Sequence, residues 1–264
     1  MSMTSVRSPV PTVRKAASIW LGVLFLSGLA WLLVGLQARR MGVGPGTMGM
    51  ALPLFTGMWV AMMAAMMWPA VAPQAVLETG ALPRREAGTE HLSGVGAFVT
   101  GFILPWTVYG VLAFLALLGT GRLVDASPTA ARWLGVGVLA LAGIYQFTPA
   151  KDRFLSHCRL IRTPPGAESN SLRTNFRLGA RDGAICVGCC WALMAILLAA
   201  GVMNLVAMAG VFVVIFTEKL APRPTLVARA AGVTFLVLAL MAAFHPSLLG
   251  GLRAAGEMMP IGRM

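Results

Sequence analysis

The chain has 264 residues, of which 58% are hydrophobic and only 11% are charged, and its mean hydropathy is +0.79. A soluble domain carries about a quarter charged residues and somewhat under half apolar ones, so this composition excludes an ordinary soluble fold and indicates lipid-facing surface. The formal net charge of +12 does not indicate a nucleic-acid partner, because the basic residues are scattered between apolar runs, where they act as topology signals.

Seven apolar runs approach the roughly 20 residues that a membrane-spanning helix needs. They lie at 17–37, 50–73, 95–118, 131–149, 184–202, 204–221 and 226–246. The first is longer than the apolar core of a signal peptide, about 7–15 residues, so we interpret it as a retained span. The fifth and sixth runs are nearly continuous, and we place a hairpin turn between them near Gly201–Asn204. The sequence predicts an all-α, polytopic transmembrane helix bundle of about seven spans, or six if these two runs are one helix.

The distribution of charge predicts an orientation. With the N-terminus inside the cell, fifteen of the 21 Lys and Arg residues fall on inner segments and six on outer segments. Because Lys and Arg mark the cytoplasmic side of a membrane, we predict an N-in protein of the bacterial inner (cytoplasmic) membrane. Its predicted parts are a disordered N-terminal tail at 1–16, a transmembrane domain at 17–246 with a basic cytoplasmic loop at 150–183, and a C-terminal tail at 247–264.

The strongest chemical feature is the run Cys186-Val-Gly-Cys189-Cys190 at the start of the fifth predicted span. These cysteines share one broad face of a helix, and their crowding disfavours a simple disulfide framework. His157 and Cys158 follow the fourth span on the same predicted side of the membrane. Four sulfurs and an imidazole suffice for a tetrahedral or trigonal soft-metal site. The competing interpretation is that small cysteines pack between helices.

A methionine stripe runs along the second predicted span, at Met62, Met63, Met66 and Met67. Met62 and Met66 are four residues apart, as are Met63 and Met67, so each pair shares a helix face. Thioethers are soft ligands that suit Cu(I), so the stripe is a secondary ligand set or relay in one interpretation. In the other, methionine fills irregular helix contacts.

Three polar residues interrupt the apolar runs. Gln146 ends the fourth span, Asn204 lies at the outer turn, and Glu218, followed by Lys219, ends the sixth span. Polar groups at membrane depth are functional candidates, because hydrocarbon offers them no partners. For Glu218 and Lys219, near a boundary, the alternative is a solvated or snorkelling pair. In the predicted topology Gln146 and Glu218 converge with the cysteines and methionines on the cytoplasmic boundary.

Six motifs follow one another in the chain: Trp59-Val-Ala-Met62-Met63-Ala-Ala-Met66-Met67-Trp-Pro69, Tyr145-Gln146-Phe-Thr148-Pro149-Ala-Lys151, His157-Cys158-Arg159, Cys186-Val-Gly-Cys189-Cys190-Trp191-Ala-Leu-Met194, Gly201-Val-Met203-Asn204-Leu205 and Glu218-Lys219-Leu-Ala-Pro222. In this order, over roughly residues 50–240, they resemble a bacterial family of predicted metal-binding integral membrane proteins with a domain of unknown function. The resemblance implies metal binding and supplies no reaction. It carries over to the four cysteines, His157, the methionine stripe and Glu218, without assigned roles.

The sequence therefore favours an integral membrane protein that binds, handles or transports a soft transition metal. Copper is the first expectation and zinc the second, held by the Cys/His cluster at the cytoplasmic membrane boundary. One alternative is a membrane thiol or metal-dependent enzyme that uses the same cysteines. Another is a structural or assembly subunit with no metal. The expected partners are the lipid bilayer and a metallochaperone or another membrane subunit, and no nucleic acid.

Overall fold

The computed structural model describes residues 13–41, 46–47, 49–80, 89–159 and 171–245, and its regular secondary structure within these ranges is helical throughout. Eight helices follow one another there: α1 (Val13–Met41), α2 (Leu52–Gly80), α3 (Thr89–Ala126), α4 (Pro128–Tyr145), α5 (Pro149–Arg159), α6 (Leu172–Ala200), α7 (Leu205–Leu220) and α8 (Pro224–Phe244). The predicted all-α fold is confirmed for these residues. The predicted tails lie outside them, except that 13–16 belong to α1.

Each of the seven predicted runs is helical, but fewer are long and apolar enough to cross a membrane. Within the described ranges, four stretches qualify by length and composition: Leu52–Pro69, Gly96–Ala126, Leu172–Ala200 and Pro224–Phe244. The bent pair α4 and α5 makes a fifth if it counts as one span. The apolar part of α1 is Leu24–Arg39, and α7 has 16 residues. A count of seven spans and the N-in orientation therefore stay predictions.

The stretch predicted as a basic loop at 150–183 is helical in both of its described parts. Residues 150–159 belong to α5, and α6 begins at Leu172, twelve residues before the predicted start of the span. Arg173, Arg177 and Arg181 are exposed on this extension. Arginine is a good helix former, but hydropathy detects only the apolar residues that follow. The prediction from hydropathy therefore began this helix too late. Residues 160–170 of the predicted loop lie outside the described ranges.

Glycines bring α3 and α6 into backbone contact. A Cβ atom on Gly101 would lie 2.1 Å from the carbonyl oxygen of Phe176, and one on Gly179 would lie 2.0 Å from that of Phe98. Small residues allow helices to approach this closely, which suits an apolar environment where dispersion and packing hold helices together. The contact fixes the N-terminal half of α6 against α3 and so sets the position of the cysteines that follow on α6.

A tight turn joins α6 to α7, as predicted near Gly201–Asn204. Gly201 has a φ of 99°, in the left-handed region that favours glycine. The Asn204 side-chain oxygen accepts hydrogen bonds from the backbone N–H groups of Val206 and Ala207, both at 3.1 Å, and so caps α7. Its amide donates to the Ala200 carbonyl at 3.3 Å. Asn204 therefore stabilises the hairpin.

The chain bends by 66° between α4 and α5. The Ser127 side chain caps the first turn of α4, which ends at Tyr145, and α5 starts at Pro149. Proline has no backbone N–H to donate to the preceding turn and its fixed φ suits the first position of a helix, so α5 begins anew in another direction. The bend carries α5 across to α6 and brings Cys158 to the cysteines of that helix.

Candidate metal centre

Three cysteine sulfurs from two helices form a compact group. The Sγ atoms of Cys158 on α5 and of Cys186 and Cys189 on α6 all lie within 4.8 Å of one another. Cys186 and Cys189 are one turn apart, so their side chains leave α6 on the same side. Both are buried, at 0% and 1% exposure, whereas Cys158 is partly exposed. The structure thus brings Cys158 together with two of the three cysteines of α6.

Cys190 lies next to this three-sulfur group rather than within it. Its Sγ atom is 3.1 Å from that of Cys189, and the side chain is 1% exposed. Consecutive residues of a helix point about 100° apart, but these two side chains turn towards each other and their sulfurs meet. All four cysteines are thiols that form no disulfide. Cys190 therefore adjoins the three-sulfur group at Cys189 without belonging to it.

The methionine stripe reaches the cysteines at Met67. Its Sδ atom lies 3.9 Å from the Sγ of Cys186. Met62, Met63 and Met66 are buried in the same apolar core, within the preceding turns of α2. One thioether of the stripe therefore touches the three-sulfur group, and the other three lie in the core on the same helix. A copper relay and ordinary core packing are both compatible with this arrangement.

A buried ion pair ties three helices together beside the sulfurs. Lys151 of α5 and Glu218 of α7 are 0% and 1% exposed, and Nζ lies 2.6 Å from Oε2. Lys151 also donates to the Cys189 carbonyl at 2.7 Å, and Arg159 donates to the Glu218 carbonyl at 2.8 Å. The alternative of a solvated Glu218–Lys219 pair is wrong, because Glu218 is buried and its partner comes from α5.

Lys219 is a second buried cation at the site. Its Nζ atom lies 3.4 Å from the Sγ of Cys186, and the residue is only 8% exposed. An ammonium group at this distance offsets the negative charge of a thiolate. Sequence reasoning did not assign Lys151 and Lys219 to the site. The available signal was their position beside Glu218 and Gln146 in the two polar motifs that end otherwise apolar runs.

Gln146 lies at the bend between α4 and α5, close to Glu218. It is 1% exposed, and within the described residues neither its side-chain oxygen nor its nitrogen has a hydrogen-bond partner, nor has Oε1 of Glu218. Buried polar atoms of this kind usually bind water or a ligand. The structure thus assigns Gln146 to the surroundings of the Lys151–Glu218 pair.

His157 and Asn204 are not part of the three-sulfur group. His157 is exposed, and its Nδ1 lies 2.7 Å from the carbonyl oxygen of Arg153. Adjacent residues of α5 point about 100° apart, so when Cys158 faces α6, His157 faces outward. Asn204, at the far end of α6, is about 22 Å from Cys186 along the helix axis. The role of each residue as a metal ligand stays a prediction.

A family model described as PpoB2, copper chaperone, matches residues 56–242. The matched range contains all four cysteines, most of α2 and the whole of α3 to α7. Comparisons with curated proteins and with solved structures gave no match.

Proposed function

This chain belongs to the PpoB2 family of copper chaperones, and we propose that it binds Cu(I) as its cargo through Cys158, Cys186 and Cys189. The observation that carries the proposal is the group of three sulfurs, which come from two helices and lie within 4.8 Å of one another. Side chains that merely pack have no need to direct three soft ligand atoms to one point.

The dimensions of the group suit one metal ion. A metal–thiolate bond is about 2.3 Å long, so three sulfurs in a trigonal plane around one ion lie about 4 Å apart. The observed limit of 4.8 Å for all three sulfur pairs leaves only small side-chain adjustments. Cu(I) prefers soft thiolate and thioether ligands, which are the atoms present here.

Zinc is the second metal that this chemistry suits. A structural zinc ion takes four ligands in a tetrahedron, so it needs one more ligand than the three-sulfur group supplies. Cys190, with its Sγ 3.1 Å from that of Cys189, is the nearest source of a fourth thiolate. The three-sulfur group meets the needs of Cu(I) without that rearrangement, which is why copper ranks first.

Buried charge at the site supports a copper–thiolate complex. Cu(I) held by three thiolates has a net charge of about −2, and an uncompensated charge in an apolar interior costs several kcal/mol. Lys219 places an ammonium group 3.4 Å from the Cys186 sulfur and so offsets part of that charge. Lys151 is already paired with Glu218, and its contact with the Cys189 carbonyl fixes the backbone there.

We further propose that the protein is a multi-pass protein of the bacterial cytoplasmic membrane, with its three-sulfur group at the cytoplasmic boundary. Large apolar side chains project outward from several helices, with exposures of 72% at Phe25, 84% at Val206 and 74% at Phe244. Such a surface suits lipid rather than water. The location makes this chain a receiver or donor of copper for a metallochaperone or another membrane subunit.

The test is copper binding by the purified full chain in detergent. Cu(I) is titrated in competition with a coloured Cu(I) chelator, for the parent and for Cys186→Ser. We expect one tightly bound Cu(I) per chain in the parent, and an affinity at least about tenfold lower in Cys186→Ser, because a hydroxyl is a poor ligand for a soft ion.

The matched control is Ala192→Ser, which adds a buried hydroxyl to the same helix without removing a sulfur, since Ala192 is 1% exposed. It should bind copper as the parent does. Equal copper affinity in Cys186→Ser and the parent would contradict the proposal. A single cysteine that is alkylated rapidly whether or not metal is present, in a chain that binds no copper, would favour the thiol enzyme instead.

A further inference from the structure

We infer that Cys158 is the residue through which copper enters and leaves the three-sulfur group, by ligand exchange with a negatively charged Cu(I)–thiolate complex. This inference rests on the proposed function, because it presupposes that the group binds Cu(I). It assigns the three sulfurs different tasks. Cys158 exchanges copper with a donor, while Cys186 and Cys189 retain it.

Exposure separates the sulfurs in this way. Cys158 is partly exposed, whereas Cys186, Cys189 and Cys190 are 0%, 1% and 1% exposed. A donor that arrives from water therefore meets Cys158 first. Two further buried sulfurs adjoin the group: that of Met67 lies 3.9 Å from the Cys186 sulfur, and that of Cys190 lies 3.1 Å from the Cys189 sulfur. The sulfurs thus form a sequence that runs from a partly exposed end to a buried interior.

The helix that carries Cys158 is held at its beginning and middle. Lys151 is bonded to Glu218 and to the Cys189 carbonyl, and the ring of Phe154 lies against Gly188, where a Cβ atom would come within 2.6 Å of it. Cys158 lies one to two turns further on, beside the end of α5. This arrangement keeps its sulfur near α6 in a residue that is only partly buried.

Charge around Cys158 favours an anionic donor. On α5, Arg153 is exposed and Arg159 is partly exposed, and Asp152 is the acidic residue of that helix. Cu(I) held by two thiolates has a net charge of −1, and basic groups at the mouth of a site attract such a complex and raise its association rate. The donor can be a small thiol or a thiolate-bearing protein, since both present the same chemistry.

The exchange balances without a redox step. A Cu–S bond forms to Cys158 while one Cu–S bond to the donor breaks, and the Cys158 proton passes to the departing donor sulfur. Cys189 then displaces the second donor thiolate and gives it its proton. Cys186 then binds copper as a thiolate, next to the Lys219 ammonium group. Copper stays Cu(I) throughout, and the total charge of the reactants equals that of the products.

Alkylation of the full-length protein in detergent tests the exposure order directly. A water-soluble maleimide is added to metal-free protein, and labelled peptides are counted by mass spectrometry. We expect Cys158 to be labelled first, with the other three cysteines protected, and prior loading with Cu(I) to protect Cys158 as well. Labelling of Cys186 or Cys189 before Cys158 would overturn the inference.

The control places a thiol on the same helix outside the group. Ser156 is exposed, so Ser156→Cys in a Cys158→Ser background should be alkylated with or without copper. It should not restore transfer, because its sulfur does not face α6. Protection of this thiol by copper would show that the loaded protein shields the whole helix. The protection of Cys158 would then not come from a bond to copper, and this outcome would contradict the inference.

Transfer kinetics complete the test. The donors are Cu(I)–glutathione and Cu(I) on a two-cysteine carrier protein, and the acceptors are the parent, Cys158→Ser, Cys189→Ser and parent alkylated at Cys158. We expect the association rate of copper to fall about tenfold or more in Cys158→Ser and in the alkylated parent. In Cys189→Ser the association rate should change little, and the dissociation rate of copper should rise instead. Transfer from glutathione identifies a small-thiol source, and transfer from the carrier alone identifies a protein source.

Equal association rates for the parent and Cys158→Ser, with copper binding intact, would overturn the exchange role and leave the proposed function standing. A parent chain that binds no Cu(I) from either donor or from the free ion would instead contradict the proposed function, whatever the alkylation pattern. The alkylated parent provides the same measurement on a folded chain if Cys158→Ser does not fold.

Discussion

The ammonium nitrogen of Lys219 lies 3.4 Å from the sulfur of Cys186, and both side chains are buried where the end of α7 meets α6. A lysine in such a position is costly unless a negative group accompanies it. The neighbouring carboxylate of Glu218 is occupied by Lys151. The sulfur of Cys186 is the hydrogen-bond partner that the structure gives this ammonium group.

Replacing Lys219 by methionine should weaken copper binding. Lys219→Met keeps a long side chain but removes the positive charge that offsets a copper–thiolate complex. We expect the Cu(I) affinity to fall about tenfold, equivalent to about 1.4 kcal/mol, in the chelator competition. Lys219→Arg, which keeps the charge, should lie closer to the parent. An unchanged affinity in Lys219→Met would show that the ammonium group does not support the bound metal.

The Lys151–Glu218 pair should stabilise the fold around the site. Removing one partner of a buried ion pair leaves an uncompensated charge, which costs about 3–5 kcal/mol. We expect Lys151→Met and Glu218→Leu each to lower the thermal unfolding midpoint in detergent strongly. The double variant should recover much of that loss, because it leaves no unpaired charge. Losses that simply add in the double variant would mean that the two side chains do not depend on each other.

Met67 should matter for copper movement more than for stability. Met67→Leu keeps volume and apolarity, so the free energy of unfolding should change by less than about 1.5 kcal/mol. Because the thioether lies 3.9 Å from the Cys186 sulfur, its loss removes a soft ligand that helps to retain copper, so copper release to an acceptor should become faster while copper still binds to the cysteines. Release rates measured with a coloured chelator give the answer.

Met50→Leu is the control for this change. Met50 is buried and precedes α2, whose first residue, Leu52, is about 22 Å from Met67 along the helix axis. Its replacement should leave copper release unaffected. If Met67→Leu and Met50→Leu behave alike, the methionine stripe is ordinary packing. The combined change of Met62 and Met66 to leucine then tests the rest of the stripe in the same assay.

The α3–α6 contact should not tolerate a single added methyl group. Gly101→Ala would bring its Cβ to 2.1 Å from the Phe176 carbonyl oxygen, so the two helices must separate and the unfolding midpoint should fall. Gly119→Ala, on the same helix with nothing within 4 Å of the new Cβ, should be neutral or stabilising by up to about 1 kcal/mol. Similar midpoints for the two variants would contradict the close packing.

Much of the fold could be predicted from the sequence, because apolar runs and turn residues are local signals. The hairpin at Gly201–Asn204 was predicted from the length of the continuous apolar stretch, and the left-handed Gly201 and the cap formed by Asn204 explain why the chain turns there. The early start of α6 was missed because its first turns carry arginines. The 66° bend before α5 depends on how that helix packs against α6 and α7, which local sequence does not contain.

The sequence identified the cysteines of the candidate site but not its two buried lysines. Spacing placed the cysteines of α6 on one face, and chain order brought Cys158 near them. Which of His157 and Cys158 faces α6 depends on the rotation of α5, and spacing alone does not give that rotation. Lys151 and Lys219 were not assigned to the site, because the sequence does not show that neighbouring helices remove them from water.

The copper environment tests the central claim most directly. X-ray absorption at the copper edge, on the purified full chain loaded with one equivalent of Cu(I), reports the atoms bound to the metal. We predict three sulfur neighbours at about 2.3 Å, and two in a chain that carries Cys158→Ser. A shell of nitrogen and oxygen atoms, or a sulfur count that no replacement of Cys158, Cys186 or Cys189 changes, would contradict the three-sulfur site.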